Sequence, residues 1–218
     1  MAFKINFNGQ TLGEEIANAV SHGIGALLAI AGTSVLIVTA CVSGDAMSVV
    51  SSSLYGFFTI LLYLFSTIYH SLTNTKAKKV FQIFDHCSIF LMILGSYIPI
   101  CLCLIRGAWG WTLFGITAAL SVIGIVFNSI NVKKWQKLSM ILYVLMGWSL
   151  VFMFNHVVAK VPLKGLVLLV GGGIFYTIGI IFFSIDTRIK YMHYIWHLFV
   201  LLGTITQYFF ILFYVIPV

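Results

Sequence analysis

HYIWHLFVLLGTITQYFFILFYVIPV, residues 193–218, decides how the rest of the chain is read. From Leu198 to Val218 it carries no charged side chain. A run of about 20 such residues crosses a ~30 Å hydrocarbon core as a helix. At its head stand His193 and His197, four residues apart. On a helix, positions i and i+4 lie one above the other on the same face. Two neutral imidazoles so placed can grip one metal ion, the geometry of H-x-x-x-H zinc helices. Burying imidazoles beside a membrane span costs free energy unless they have partners. The pair therefore raises the question of what else in the chain points at the same place.

The whole composition agrees with that tail. Of 218 residues, 61% are hydrophobic and 8% charged, and the mean hydropathy is +1.09. A soluble domain could not cover its surface with so few polar residues. Seven apolar runs of spanning length can be read: Asn18–Val42, Met47–Tyr69, Phe84–Ile105, Trp109–Ile130, Leu138–Val157, Gly165–Ile185 and Tyr194–Val215. The connections are short. The expected fold is therefore all-α, a single seven-transmembrane-helix domain over residues 1–218 with a short polar segment at 1–17. That segment carries Glu14 and Glu15 and lacks the apolar core of a signal peptide.

Loop charge gives an orientation. Lys4, Lys76, Lys78, Lys79, Lys133, Lys134, Lys137, Arg188 and Lys190 fall on the side of the N-terminus and of the connections after spans two, four and six. Arg106, Lys160 and Lys164 fall on the other side, which completes the 12 basic residues. The positive-inside rule then predicts a cytoplasmic N-terminus and an outside C-terminus. The net charge of +7 is a topology signal beside an anionic leaflet and implies no nucleic-acid partner. Trp109 and Trp111 fit an interfacial aromatic belt.

On this frame the polar residues converge. His197 lies in the first turns of span seven, His70 closes span two, Asp85 opens span three and His22 lies near the start of span one, all on the cytoplasmic side. Three histidines plus an open position make a common catalytic zinc set, so His70, His193 and His197 are the expected ligands. Asp85 is placed to hold an attacking water or to act as general base, or simply to cap span three. Ser66, one turn before His70, is a candidate oxyanion donor, or bonds its own i−4 carbonyl. Glu15, Asn18 and His22 form a polar stripe that supports or gates the site. His86, next to Asp85, is expected to point about 100° away. His156 is expected at the opposite interface, Asp186 in a solvated loop, and Gly171–Gly173 in close helix packing. The cysteines give no clear pairing.

Taken together, Glu15-x-x-Asn18-x-x-Ser21-His22, Ser66-x-x-x-His70, Asp85-His86, Tyr97-x-Pro99, Met146-Gly147-Trp148, Gly172-Gly173-x-x-Tyr176-Thr177-x-Gly179 and His193-x-x-x-His197 resemble the hemolysin III family. That family groups with the progestin and adipoQ receptors and the alkaline ceramidases, seven-span proteins that include metal-dependent hydrolases. The resemblance implies zinc on His70, His193 and His197, with Asp85 near a bound water. It also implies a bacterial plasma-membrane location. The H-x-x-x-H lacks an internal Glu, so the soluble metalloprotease mechanism does not transfer. The long N-terminal domain of the adiponectin receptors has no counterpart, and Gln207-Tyr208 stands where similar sequences often have another histidine.

Three functions follow as expectations. The first is a zinc-dependent hydrolase of a lipid amide or ester, with a membrane lipid as substrate. The second is a sensor or regulator of membrane homeostasis in which zinc staples helices. The third is a pore-forming cytolysin, which the polar residues disfavour because they cluster at one end instead of crossing the bilayer.

Overall fold

A computed structural model describes residues 9–216, and among these every regular element is helical. The elements are α1 Leu12–Ser43, α2 Ala46–Ser71, α3 Thr75–Pro99, α4 Gly107–Trp148, α5 Phe154–Val158, α6 Leu163–Ser184 and α7 Met192–Tyr214. A π-helical turn, Ile100–Ile105, extends α3 beyond Pro99, and a 3-10 turn, Ser149–Met153, joins α4 to α5. Six helical stretches are long and apolar enough to cross a bilayer. Their outward faces are Val, Ile, Leu and Phe, which suits contact with lipid tails. Lys4 lies outside the described residues.

The fourth stretch, Gly107–Val158, folds back on itself. Asn131 has φ −165° and ψ 99°, which breaks the helix. Its side chain accepts the Lys134 N–H at 3.0 Å and restarts the next turn as an N-cap would. Ser139 Oγ then donates to Asn128 Oδ1 at 2.7 Å. Eleven residues of straight helix would hold those two about 16 Å apart. So the loop expected between Ile130 and Leu138 is one extended residue, and the two arms run side by side.

Helix ends differ from the apolar runs because capping, not hydrophobicity, sets them. α1 starts at Leu12 with Thr11 and Glu14 in a reciprocal capping box. This puts Glu14 and Glu15, expected in a polar tail, inside the helix and buried. α3 is capped by Asn74, whose Oδ1 accepts from the N–H groups of Lys76 and Ala77. Asp85 therefore lies nearly three turns inside α3, and the capping role considered for it is excluded. Asp45 caps α2. The Ser48 N–H and hydroxyl, with the Arg106 guanidinium at 3.0 Å, hold its carboxyl down at about 2.

Packing brings α1 against α2 and α7, α2 against α3, and α6 against α7. Close approach uses missing side chains. A Cβ on Gly124 would collide with the Phe90 ring, and one on Gly172 would lie 2.6 Å from Gln207 Nε2, in line with the packing expected of the Gly171–Gly173 run. Tyr97 ties α3 to the far arm of α4. Its hydroxyl donates to the Gly147 carbonyl and accepts from the Leu150 N–H.

Candidate metal centre

His70 on the last turn of α2 and His193 and His197 on the first turns of α7 come together. Each offers a ligand atom, and the three atoms lie within 4.8 Å of one another. His70 and His197 are buried at 4% and 1% exposure, and the His193 side chain is 12% exposed. These three residues could hold a metal ion. α7 starts abruptly to place its pair. Tyr191 at its N-cap takes a left-handed φ of 62°, which is costly for a non-glycine residue. Its N–H donates to Glu14 Oε1 at 2.7 Å, which anchors the start of α7 on the first turn of α1.

The orientation of the three rings is the most telling feature. His70 Nδ1 donates to Glu15 Oε2 at 2.7 Å. His193 Nδ1 donates to Asp186 Oδ2 at 2.7 Å. His197 Nδ1 stands 3.3 Å from both the Asn18 carbonyl and Ser21 Oγ. An acceptor at each Nδ1 fixes the tautomer and leaves each Nε2 with its lone pair and no hydrogen bond among the described residues. That arrangement is the usual one behind metal-binding histidines. His70 Nε2 is buried and makes no hydrogen bond, a costly state for a polar atom unless something fills it.

The surrounding polar groups repeat the pattern. His22 stacks on His197 with ring centroids 3.5 Å apart and planes 9° from parallel, and neither of its ring nitrogens has a partner. Asn18 donates to Gln10 Oε1 and lies 3.5 Å from His70 Nδ1. Ser66 Oγ is buried and unpartnered, so the i−4 bond open to it is not made. Thr59, Thr67 and Ser71 on the same helix all make theirs. Asp85 is buried and stands outside the three-histidine set.

A cavity of about 140 Å³ opens from this centre. His22, Ser66, Asp85, His86, His193 and His197 line its polar end. Ile100, Leu150, Leu169 and Gln207 line the other. His197 and Gln207 are ten residues apart on α7, about 15 Å of helix, so the cavity is long and narrow. Two expectations are corrected here. His86 lines the same cavity as Asp85, although the two are adjacent on α3. Asp186 is no free loop carboxylate, because the turn before α7 folds it onto His193. His156 lies near Trp109, with ring centroids 5.8 Å apart, away from the centre.

One partner gave no sign in the loop-charge reading. Lys78 is 1% exposed, and its Nζ lies 2.9 Å from Glu15 Oε1. Its spacing could have revealed it. Lys78 is seven residues before Asp85, two helical turns, and so on the same face of α3. Asp186 offered no such signal, since its bond to His193 spans a non-helical turn.

Apolar helices with three imidazoles gathered at one end define an integral membrane protein, multi-pass and resident in the cell membrane, with a candidate metal centre. Residues 10–208 match the family model described as Haemolysin-III related, and the chain belongs to that family. It is similar to Hemolysin-3 of Bacillus cereus, 42% identical over 217 residues covering 100% of this chain and 99% of the relative. It is also similar to the Hemolysin-3 homolog of Bacillus subtilis (strain 168), 41% identical, with 95% and 97% of the two chains covered. More distantly it resembles the monocyte to macrophage differentiation factor of Homo sapiens, 26% identical over 90% of this chain and 82% of that one.

Proposed function

We propose that this chain is a zinc-dependent hydrolase of a lipid amide or ester, with zinc held by His70, His193 and His197. The observation that carries the reading is the set of three rings with every Nδ1 engaged and every Nε2 free. Three imidazoles with a fourth position open to the cavity suit catalytic zinc. Bound there, zinc would supply Lewis acidity for a carbonyl and make water acidic enough to serve as nucleophile near neutral pH. The protein's own residues divide the remaining work. Asp85 orients the attacking water, takes its proton and passes it to the amine or alcohol that leaves as the acyl bond breaks. Ser66 Oγ donates to the carbonyl oxygen as negative charge grows on it. Glu15, Asn18, Ser21 and Asp186 hold the imidazoles in register, and His22 packs against His197 and closes the α1 side. The narrow apolar cavity receives one methylene chain and keeps bulk water from the reacting bond.

The membrane frame supports a lipid. The loop charges favour seven crossings with a cytoplasmic N-terminus, and the fold-back at Asn131 supports that reading. That topology puts the centre near the inner leaflet, where a head group meets the polar residues while its tail lies between helices. The buried charged and imidazole groups, Glu14, Glu15, His22, His70, Lys78, Asp85, His86 and His197, gather at one end of the bundle, which does not favour a pore.

The test is metal analysis followed by turnover. Purified protein is expected to hold about one zinc per chain, and His193→Ala to lose most of it. Asp85→Ala is expected to keep the zinc and to release no fatty acid from a panel of lipid amides and esters. Zinc missing from the wild type would sink the whole reading. Zinc present without turnover of any lipid would leave the metal and remove the hydrolase.

A further inference from the structure

Lys78 is the most deeply buried cation among the described residues, and nothing in the proposed chemistry needs it. A lysine is almost never fully buried unless it is paired. Its Nζ lies 2.9 Å from Glu15 Oε1, 3.2 Å from the Leu72 carbonyl and 4.9 Å from the Tyr69 ring centre. Glu15 turns its other oxygen to His70 Nδ1 at 2.7 Å. One carboxylate therefore bridges an ammonium and an imidazole, and the imidazole's remaining nitrogen faces the metal centre.

We propose that Lys78 is a positioning residue for the metal centre, acting through Glu15 on His70. The inference rests on the reading that His70, His193 and His197 hold zinc. Two physical effects combine. A desolvated carboxylate without a counter-ion is costly, so Lys78 makes it affordable for Glu15 to stay where it can fix the His70 ring. Leu72 follows His70 by two residues, so Lys78 also pins the chain just beyond the end of α2. One side chain from α3 thereby ties α1 and α2 together around a single ligand. His193 is held differently. Its carboxylate partner Asp186 pairs with no Lys or Arg among the described residues, and both side chains are about a tenth exposed. Because Lys78 and Asp85 share one face of α3, the helix that carries the candidate base also sets the orientation of the His70 ligand.

Zinc affinity of the full chain in detergent, measured by competition with a chromophoric chelator, tests this together with the visible absorption bands of the cobalt-substituted protein. The variants are Lys78→Met, Glu15→Gln and the pair combined. Lys78→Met is expected to weaken zinc binding about 10- to 100-fold and to shift the cobalt bands, which loss of helix packing alone would not do. Combined with Glu15→Gln it is expected to cost nothing further, because a residue that acts only through Glu15 has nothing left to act on. Wild-type affinity and bands in Lys78→Met overturn the proposal, as does a double variant weaker than Glu15→Gln alone. If Lys78→Met does not fold, Lys78→Gln, which removes the charge but keeps a donor for Glu15, takes its place, and wild-type affinity and bands in that variant overturn the proposal. A wild type that binds no zinc overturns the reading of the centre itself, and that outcome is distinct from the others.

Discussion

At the scale of one residue, Ser66 stands apart from the nearest Ser and Thr side chains of α2. Membrane serines and threonines commonly satisfy their hydroxyls on the preceding turn, and Thr59, Thr67 and Ser71 of α2 do so. Ser66 does not, although it is fully buried. Because Ser66 makes no bond to its own helix, Ser66→Ala is expected to lower stability by no more than about 1 kcal/mol. Loss of an oxyanion donor lowers kcat by about 10²–10³, so turnover is expected to collapse in the same variant. A large loss of stability with normal turnover would reverse the assignment. That His70, His193 and His197 lie together, with Ser66 and Asp85 at the same end, was legible in the sequence, since helical spacing and depth are written there. Lys78 was misplaced in a loop because charge alone does not show whether a lysine has found a buried carboxylate. Asp186 could not be read, because its pairing depends on the path of a turn.

Elements show a similar division. The apolar runs locate the helices, but their ends follow capping at Thr11, Asp45 and Asn74. Those caps moved Asp85 from a helix start to a helix interior. The clearest element-level contact is between α3 and the first arm of α4, where Phe90, fully buried, fills the space a side chain on Gly124 would need. Gly124→Val is expected to cost about 1–3 kcal/mol by overpacking, read as a lower midpoint in thermal unfolding of the purified protein. Wild-type stability would mean that the two arms do not pack as closely as described. Asn131 marks the other limit of sequence reading. A gap between two apolar runs was legible, but not its closure to a single extended residue, because the Ser139 to Asn128 bond forms only once the arms lie together.

The whole molecule joins a polar end to an apolar channel. Val170 lines that channel beside Leu169. Val170→Trp is expected to leave bound zinc at the wild-type level and to abolish release of long-chain fatty acids, while short acyl chains are still cleaved. Equal turnover of both chain lengths would detach the channel from substrate binding. Orientation can be checked in intact cells with a membrane-impermeant maleimide on a background free of the native cysteines. Lys160→Cys is expected to label from outside, and Gln10→Cys only after the membrane is opened. The reverse pattern would invert the topology drawn from the Lys and Arg distribution.

The sequence by itself determined that this chain lives in a membrane as apolar helices, and that histidines from separate helices lie at one depth. Run length, loop charge and the i, i+4 spacing are local properties, so they survive without knowledge of the fold. Only the tertiary structure decided which acceptor holds each imidazole, that a buried lysine stands behind one of those acceptors, and that the centre opens on a narrow apolar channel. Those are contacts between residues far apart in the chain. They exist because packing removes water, and each buried polar group must then find its partner across a helix boundary.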